Sequence, residues 1–266
     1  MWVFLEAPSS FDIKSIGMAI ERKDPQLLWK PVNLRKSAER DRFRMPGLPS
    51  ILLPFHGFST YPLPQYKGVR LSCGSVHKVK QLRILESAGI RVPKWTRLSP
   101  TTEIDSAELG ENLIIKPTET GASQGRGVTL IKTSGFSAYR DEHAAQYLSL
   151  GRSAPLVQQH IRTGDRAEHN RILVFLDRVL LSKRNFGAAP TTFNAPANDL
   201  VLLDHVASNA KDSGQELLVD DELDQFGLKI HAAFDSTCSG VDILRSSDDG
   251  QLYALEVNMG NTWQFS

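Results

Sequence analysis

Leu113-Ile114-Ile115-Lys116-Pro117-Thr118-Glu119-Thr120-Gly121-Ala122-Ser123-Gln124-Gly125-Arg126-Gly127-Val128-Thr129-Leu130-Ile131 is the stretch on which the fold turns. Both ends are short apolar runs, the composition of buried strands, and the middle is punctuated by glycine. The reading is a strand at 113–116, a long loop, and a return strand at 128–131. Lys116, at the end of a buried strand, is a positive charge that an anion would satisfy. Gly121, Gly125 and Gly127 let backbone amides approach such an anion closely. The loop, Ser123 included, suits a polyphosphate cover. It is not a Walker loop, because no Lys-Ser or Lys-Thr follows its last glycine, and it is not a dinucleotide fingerprint. Taken alone, a glycine-rich hairpin is also an ordinary turn.

Upstream, Val79, Leu82, Ile84, Leu85 and Ala88 repeat at helical spacing and end at Gly89, a C-cap residue. An extended stretch at 90–95 follows. Downstream come a helix near 139–148, a strand at 156–161, and a hairpin whose arms, 172–175 and 179–181, flank Leu176-Asp177-Arg178. A helix at 221–234 sets Leu223, Phe226, Ile230 and Phe234 on one face. Strands at 240–244 and 252–257 enclose Ser246-Ser247-Asp248-Asp249-Gly250. At the amino end, a strand at 2–5 and a helix carrying Ile13, Ile16 and Ile20 make one βα unit. Residues 22–44 read as a solvated surface segment. The five prolines from Pro46 to Pro64 leave room for one short strand, and a boundary falls near 75.

With 266 residues, 41% of them hydrophobic, the chain can bury a substantial core. Lys plus Arg number 31 against 30 for Asp plus Glu, which argues against nucleic acid or an anionic membrane as the partner. Cys73 and Cys238 are too few for a disulfide scaffold and lack zinc-site spacing, so a reducing cytoplasm is expected. The apolar run after Met1 is about five residues long, against the ~20 that span a bilayer, and no basic stretch precedes it. No targeting signal is read there.

The far end of the chain bears on the glycine loop. Asp242 on one strand and Glu256 and Asn258 on the next offer three oxygen donors. Glu256 and Asn258, two apart, share a strand face. Hard oxygen ligands suit Mg²⁺ bridging nucleotide phosphates. Glu256 interrupts an apolar run, Tyr253-Ala254-Leu255-Glu256-Val257, and a buried carboxylate needs a partner.

The ordered set of Lys78, Lys116, the glycine loop, Val157-Gln158-Gln159-His160-Ile161, Arg171, Arg184, Asp242, Glu256 and Asn258 resembles the ATP-grasp superfamily. It is most similar to the glutathione synthetase and ribosomal-protein glutamate ligase branch, over roughly residues 76–258. The resemblance implies an α/β (α+β) fold in which two α+β subdomains, 76–160 and 161–266, clasp ATP behind a short N-terminal α/β domain at 1–75. It implies that Lys78, Lys116, Gly121, Ser123, Gly125 and Gly127 meet the phosphates. Gln158, Gln159, His160 and Ile161 would form the adenine hinge. Arg171 and Arg184 would face the γ-phosphate and the reacting carboxylate. Asp242, Glu256 and Asn258 would hold one or two Mg²⁺ ions, or Mn²⁺.

Some positions depart from the family. Relatives have Asp two residues before the first arginine, where this chain has His169, so Asp165 or Glu168 is expected at the ribose. The stretch from Asn185 to Asp204 lacks the family's asparagine and glycine-rich strand; Asn185, Asn194 and Asn198 are the candidates there. The expected activity is ligation of a small-molecule or peptide carboxylate to an amine through an acylphosphate, with a homo-oligomer compatible. Two alternatives are a small-molecule kinase on the same fold and a silent module that binds nucleotide or peptide.

Overall fold

The structure is a computed structural model and describes residues 1–6, 11–33, 49–54, 68–71, 76–118, 128–149, 153–187, 201–202, 214–234 and 236–259. Its strands form three sheets.

The first sheet is parallel. It is built from β1 (Trp2–Glu6), β2 (Leu28–Val32), β3 (Ser50–Pro54) and β4 (Val69–Arg70), in the order β2-β1-β3-β4. Helix α1 (Phe11–Lys23) packs Ile13, Ile16 and Ile20 against Val3 and Leu5, as the βα pattern predicts. Residues 22–31 are largely exposed, as expected of a solvated segment, but they include an edge strand that the polar pattern does not announce. Leu28–Val32 pairs residue for residue with β1, and its edge position tolerates the missing N–H of Pro31.

The second sheet contains the hairpin read first. Its strands are β5 (Trp95–Arg97), β6 (Asn112–Lys116), β7 (Thr129–Lys132), β8 (Leu156–Gln159) and β11 (Val201–Leu202), ordered β11-β7-β6-β8-β5. Helix α2 (Lys78–Ser87) precedes it, the short α3 (Ser106–Leu109) is capped by the Asp105 carboxylate, and α4 (Phe136–Ser149) follows β7. Leu113, Ile115, Ile131, Phe136 and Val157 form its core. Gly89, just past α2, has φ +65°, the left-handed turn expected of it.

The third sheet contains β9 (Glu168–Phe175), β10 (Arg178–Phe186), β12 (Gly214–Leu217), β13 (Cys238–Arg245) and β14 (Leu252–Met259) in the order β12-β10-β9-β13-β14, all antiparallel. Helix α5 (Asp221–Ala232), N-capped by Asp220, buries Leu223 and Ile230 against Ile172, Val174, Val241 and Ile243 on one face of this sheet. The approach is close: a Cβ on Gly227 would lie 2.8 Å from Ile172 Cγ2. Residues alternating with that apolar set project from the opposite face.

Helix α2 belongs to two cores. Val79 and Leu82 pack with Leu156 of the second sheet, while Leu85 joins the core under the third. It therefore fixes the two sheets at the cleft they share. Among the described residues no helix is long and apolar enough to cross a membrane.

Candidate active site

Cross-strand register assembles the site. Lys183 of β10 is opposite Arg171 of β9, Arg171 is opposite Asp242 of β13, and Asp242 is opposite Glu256 of β14. Directly opposed residues share a face, so two cations and two carboxylates form one row on the side away from α5. Leu217 of β12 ends the row beyond Lys183. A bulge at Leu255, where Asp242 pairs with Glu256 but Ile243 with Ala254, re-aims β14 beside its carboxylate.

Asp242 is the hub of the row. Its buried carboxylate receives a bidentate fork from Arg171, Nε to Oδ1 at 2.7 Å and Nη2 to Oδ2 at 2.8 Å, and Asn258 Nδ2 donates to Oδ2 at 3.1 Å. The hydrogen bond to Asp242 holds the Arg171 guanidinium firmly protonated, with its pKa raised. His169 Nε2 lies 3.7 Å from Asp242 Oδ1 and 3.1 Å from Asn185 Nδ2; burial lowers its pKa and keeps it neutral near pH 7.

Across the cleft, Lys78 opens α2 and its Nζ lies 3.9 Å from Glu256 Oε1. Lys78, Gln81, Lys116, Gln158 and Glu256 line one recess. Lys116 keeps some accessible surface, yet desolvation lowers its pKa to about 8, against the pull of Glu256 and Asp242 and with the help of Lys78. Two ammonium groups converging on one recess are a site for an anion.

The oxygen donors of Asp242, Glu256 and Asn258 are of the kind a hard divalent cation takes, with both Asp242 oxygens also held by the Arg171 fork. Among the described residues no group of three or more His, Cys, Asp or Glu side chains gathers to hold a metal. Asp242, Glu256 and Asn258 make a set of two carboxylates and one amide, which needs further oxygen ligands such as phosphate or water.

Residues 158–161, the expected adenine hinge, continue from the second sheet. Gln158 is buried and faces the recess, whereas Gln159 Oε1 accepts from Lys94 N at 3.3 Å. The backbone N–H groups of Gln159 and His160 donate to Lys94 O and Asn112 O. The His160 N–H is thus taken by the sheet. The His160 imidazole is held neutral, its pKa lowered to about 4 chiefly by burial and then by Arg162 and Lys116.

Two expected residues project elsewhere. Arg184 is opposite Asn170, one step out of register with Arg171, so it projects to the α5 side. There it pairs with Glu168 at 3.6 Å and with Glu216. Glu168 shares that side, which removes it from the row. Asp165 lies in the connection from β8 to β9. Gly121, Ser123, Gly125, Gly127, Asn194 and Asn198 lie outside the described residues. Lys183 and Gln81 were not singled out in the sequence; the register reveals the first and the burial of an amide on α2 the second.

Solved structures share this architecture over nearly the whole chain. The ATP-grasp ligase PsnB complexed with minimal precursor aligns with a TM-score of 0.60 over 99% of this chain and 92% of that one, at 14% identity. A RimK domain protein ATP-grasp from Sphaerobacter thermophilus aligns at 0.58 over 98% and 92%, at 14% identity. The chain has the ATP-grasp fold. The D-alanine–D-alanine ligase from Bacillus anthracis has the same arrangement at a TM-score of 0.58 and 16% identity, over 97% of this chain and 86% of that one. No protein-family model and no curated protein matches the chain. At these identities the likeness is one of fold, and within the ATP-grasp fold of this chain the site rests on its own residues.

Proposed function

We propose that the chain is an ATP-dependent carboxylate–amine ligase. The observation that carries the reading is the row Lys183, Arg171, Asp242, Glu256 facing Lys78 and Lys116. Carboxylates there have cations on both sides, a layout suited to polyphosphate on one flank and an acidic substrate on the other. PsnB has been solved with Mg and ADP and with its precursor peptide. That supports ATP, Mg²⁺ and a peptide or small-molecule carboxylate here.

In the proposed reaction a carboxylate oxygen of the substrate attacks the γ-phosphorus of ATP. The bond to the β–γ bridging oxygen breaks, and ADP leaves. An amine then attacks the acyl carbon, phosphate departs, and the amine loses a proton, giving an amide. Lys78 and Lys116 bind the phosphates. Arg171, oriented by its fork onto Asp242, sets a fixed positive charge beside the transferring group, and Lys183 adds a second cation on the same face. Arg184 braces β10 through Glu168 and Glu216. Asp242, Glu256 and Asn258 would hold Mg²⁺, which supplies charge neutralisation between the phosphates. Glu256→Gln and Lys116→Ala are expected to abolish ADP release while retaining the native circular-dichroism spectrum. Normal turnover in both variants would remove this site.

A further inference from the structure

Gln81 is a buried amide in the middle of α2, on a helix whose other buried positions are apolar apart from it. Its side chain reaches across to β14. Nε2 donates to Val257 O at 2.9 Å and to Val76 O at 2.8 Å, and Oε1 accepts from Val257 N at 3.0 Å. β14 is an edge strand, and Val257 is the residue between Glu256 and Asn258. In an antiparallel pair the N–H and C=O of one residue point to the same side, and for Val257 that side is away from β13. Gln81 therefore does for Val257 what a further strand would do, and its second N–H ties the entry of the helix that starts at Lys78.

We infer that Gln81 is a positioning residue that holds Glu256 and Asn258 in the aim a divalent cation requires, and holds Lys78 beside them. The inference rests on the reading of Asp242, Glu256 and Asn258 as metal donors. Only a carboxamide of this length meets all three partners, because it has two donors and an acceptor in one plane. A carboxylate cannot donate to the two carbonyls, and an apolar side chain leaves all three backbone groups without partners. The consequence is specific: loss of the amide loosens the pitch of β14 at 256–258, which weakens metal capture more than nucleotide capture.

The test is a Mg²⁺ titration of the full chain with a fluorescent ATP analogue, in the wild type, in Gln81→Met, which preserves volume, and in Leu252→Ala, which destabilises the same strand away from Val257. For Gln81→Met the Mg²⁺ midpoint is expected to rise about tenfold, while metal-free affinity for the analogue stays within twofold. Leu252→Ala is expected to lower thermal stability and leave the midpoint within twofold. A Gln81→Met midpoint within twofold of the wild type overturns the inference alone. A wild type that shows no Mg²⁺ dependence overturns the ligase reading and the inference with it. The bond itself is testable in the unsubstituted protein by residue-resolved hydrogen exchange: the Val257 amide should exchange as slowly as strand-paired amides of β13. Exchange at the rate of an open edge amide overturns the inference whatever the variant does.

Discussion

Replacing Lys116 by Met should make the protein more stable and leave it unable to bind nucleotide. Lys116 is crowded by protein at the end of β6, and desolvation outweighs the attraction of Glu256 and Asp242, so the ammonium ionises at about 8 instead of 10.5. Below pH 8 the folded protein carries this charge at its full free-energy cost. Between about 8 and 10.5 the unfolded chain keeps a proton that the folded one has lost, so stability rises with pH across that window. The pKa difference corresponds to about 3 kcal/mol at pH 7, and the surface that Lys116 retains reduces the expectation to roughly 1–3 kcal/mol. For a chain of this size each kcal/mol moves Tm by about 2–4 °C. Urea unfolding of wild type and Lys116→Met at pH 7, 8.5 and 10 should show the variant more stable at pH 7 and the gap closing as pH rises. A variant less stable at pH 7, or a gap constant from pH 7 to 10, would mean that the Lys116 ammonium is not held at a desolvation cost. Wild-type binding of metal-free nucleotide should weaken through pH 8, because the protonated form is the phosphate partner.

Asp242→Asn leaves the Arg171 guanidinium without its fork partner; because Arg171 is partly exposed, the loss in urea unfolding should be about 1–3 kcal/mol, with metal-dependent turnover abolished. Arg171→Lys should not retain full activity, since an ammonium cannot reproduce the two parallel bonds to Asp242. Lys183→Ala should lower turnover roughly 10–100-fold and Arg184→Ala less than about threefold in a steady-state ADP assay, since only Lys183 shares the face of Arg171. Gly227→Ala should destabilise by about 1–3 kcal/mol in thermal unfolding despite the better helix propensity of alanine, because the new Cβ meets Ile172 at 2.8 Å.

The segments that could be read from sequence are those whose pattern is unambiguous. The 113–131 hairpin and the strands around Asp242 and Glu256 announce themselves by short apolar runs between turn residues. β2 does not, because Lys30 and Pro31 break its alternation. β12 does not either, because Gly-Gln-Glu-Leu is a polar edge. The site was legible as a list of residues and not as a geometry. A strand alternates faces at every residue, so a one-residue difference in register decides whether Lys183 or Arg184 stands beside Arg171. The irregularity between Val179 and Leu181 lies within that very hairpin. Gln81 did leave a trace: with Ile84, Leu85 and Ala88 it falls at i, i+3, i+4 and i+7, so an amide occupies a place on the apolar stripe. A buried amide implies partners; only the fold shows that the partner is Val257.

The most direct test of carboxylate activation is a trapping experiment. The protein is incubated with ATP, Mg²⁺ and pooled carboxylates, with hydroxylamine in place of the amine, and ADP and hydroxamate are measured pool by pool. At least one pool should give hydroxamate and ADP in equal amounts, and neither should form with Glu256→Gln. ADP formed together with a stable phosphoester and no hydroxamate, or nucleotide binding with no ADP in any pool, contradicts carboxylate activation.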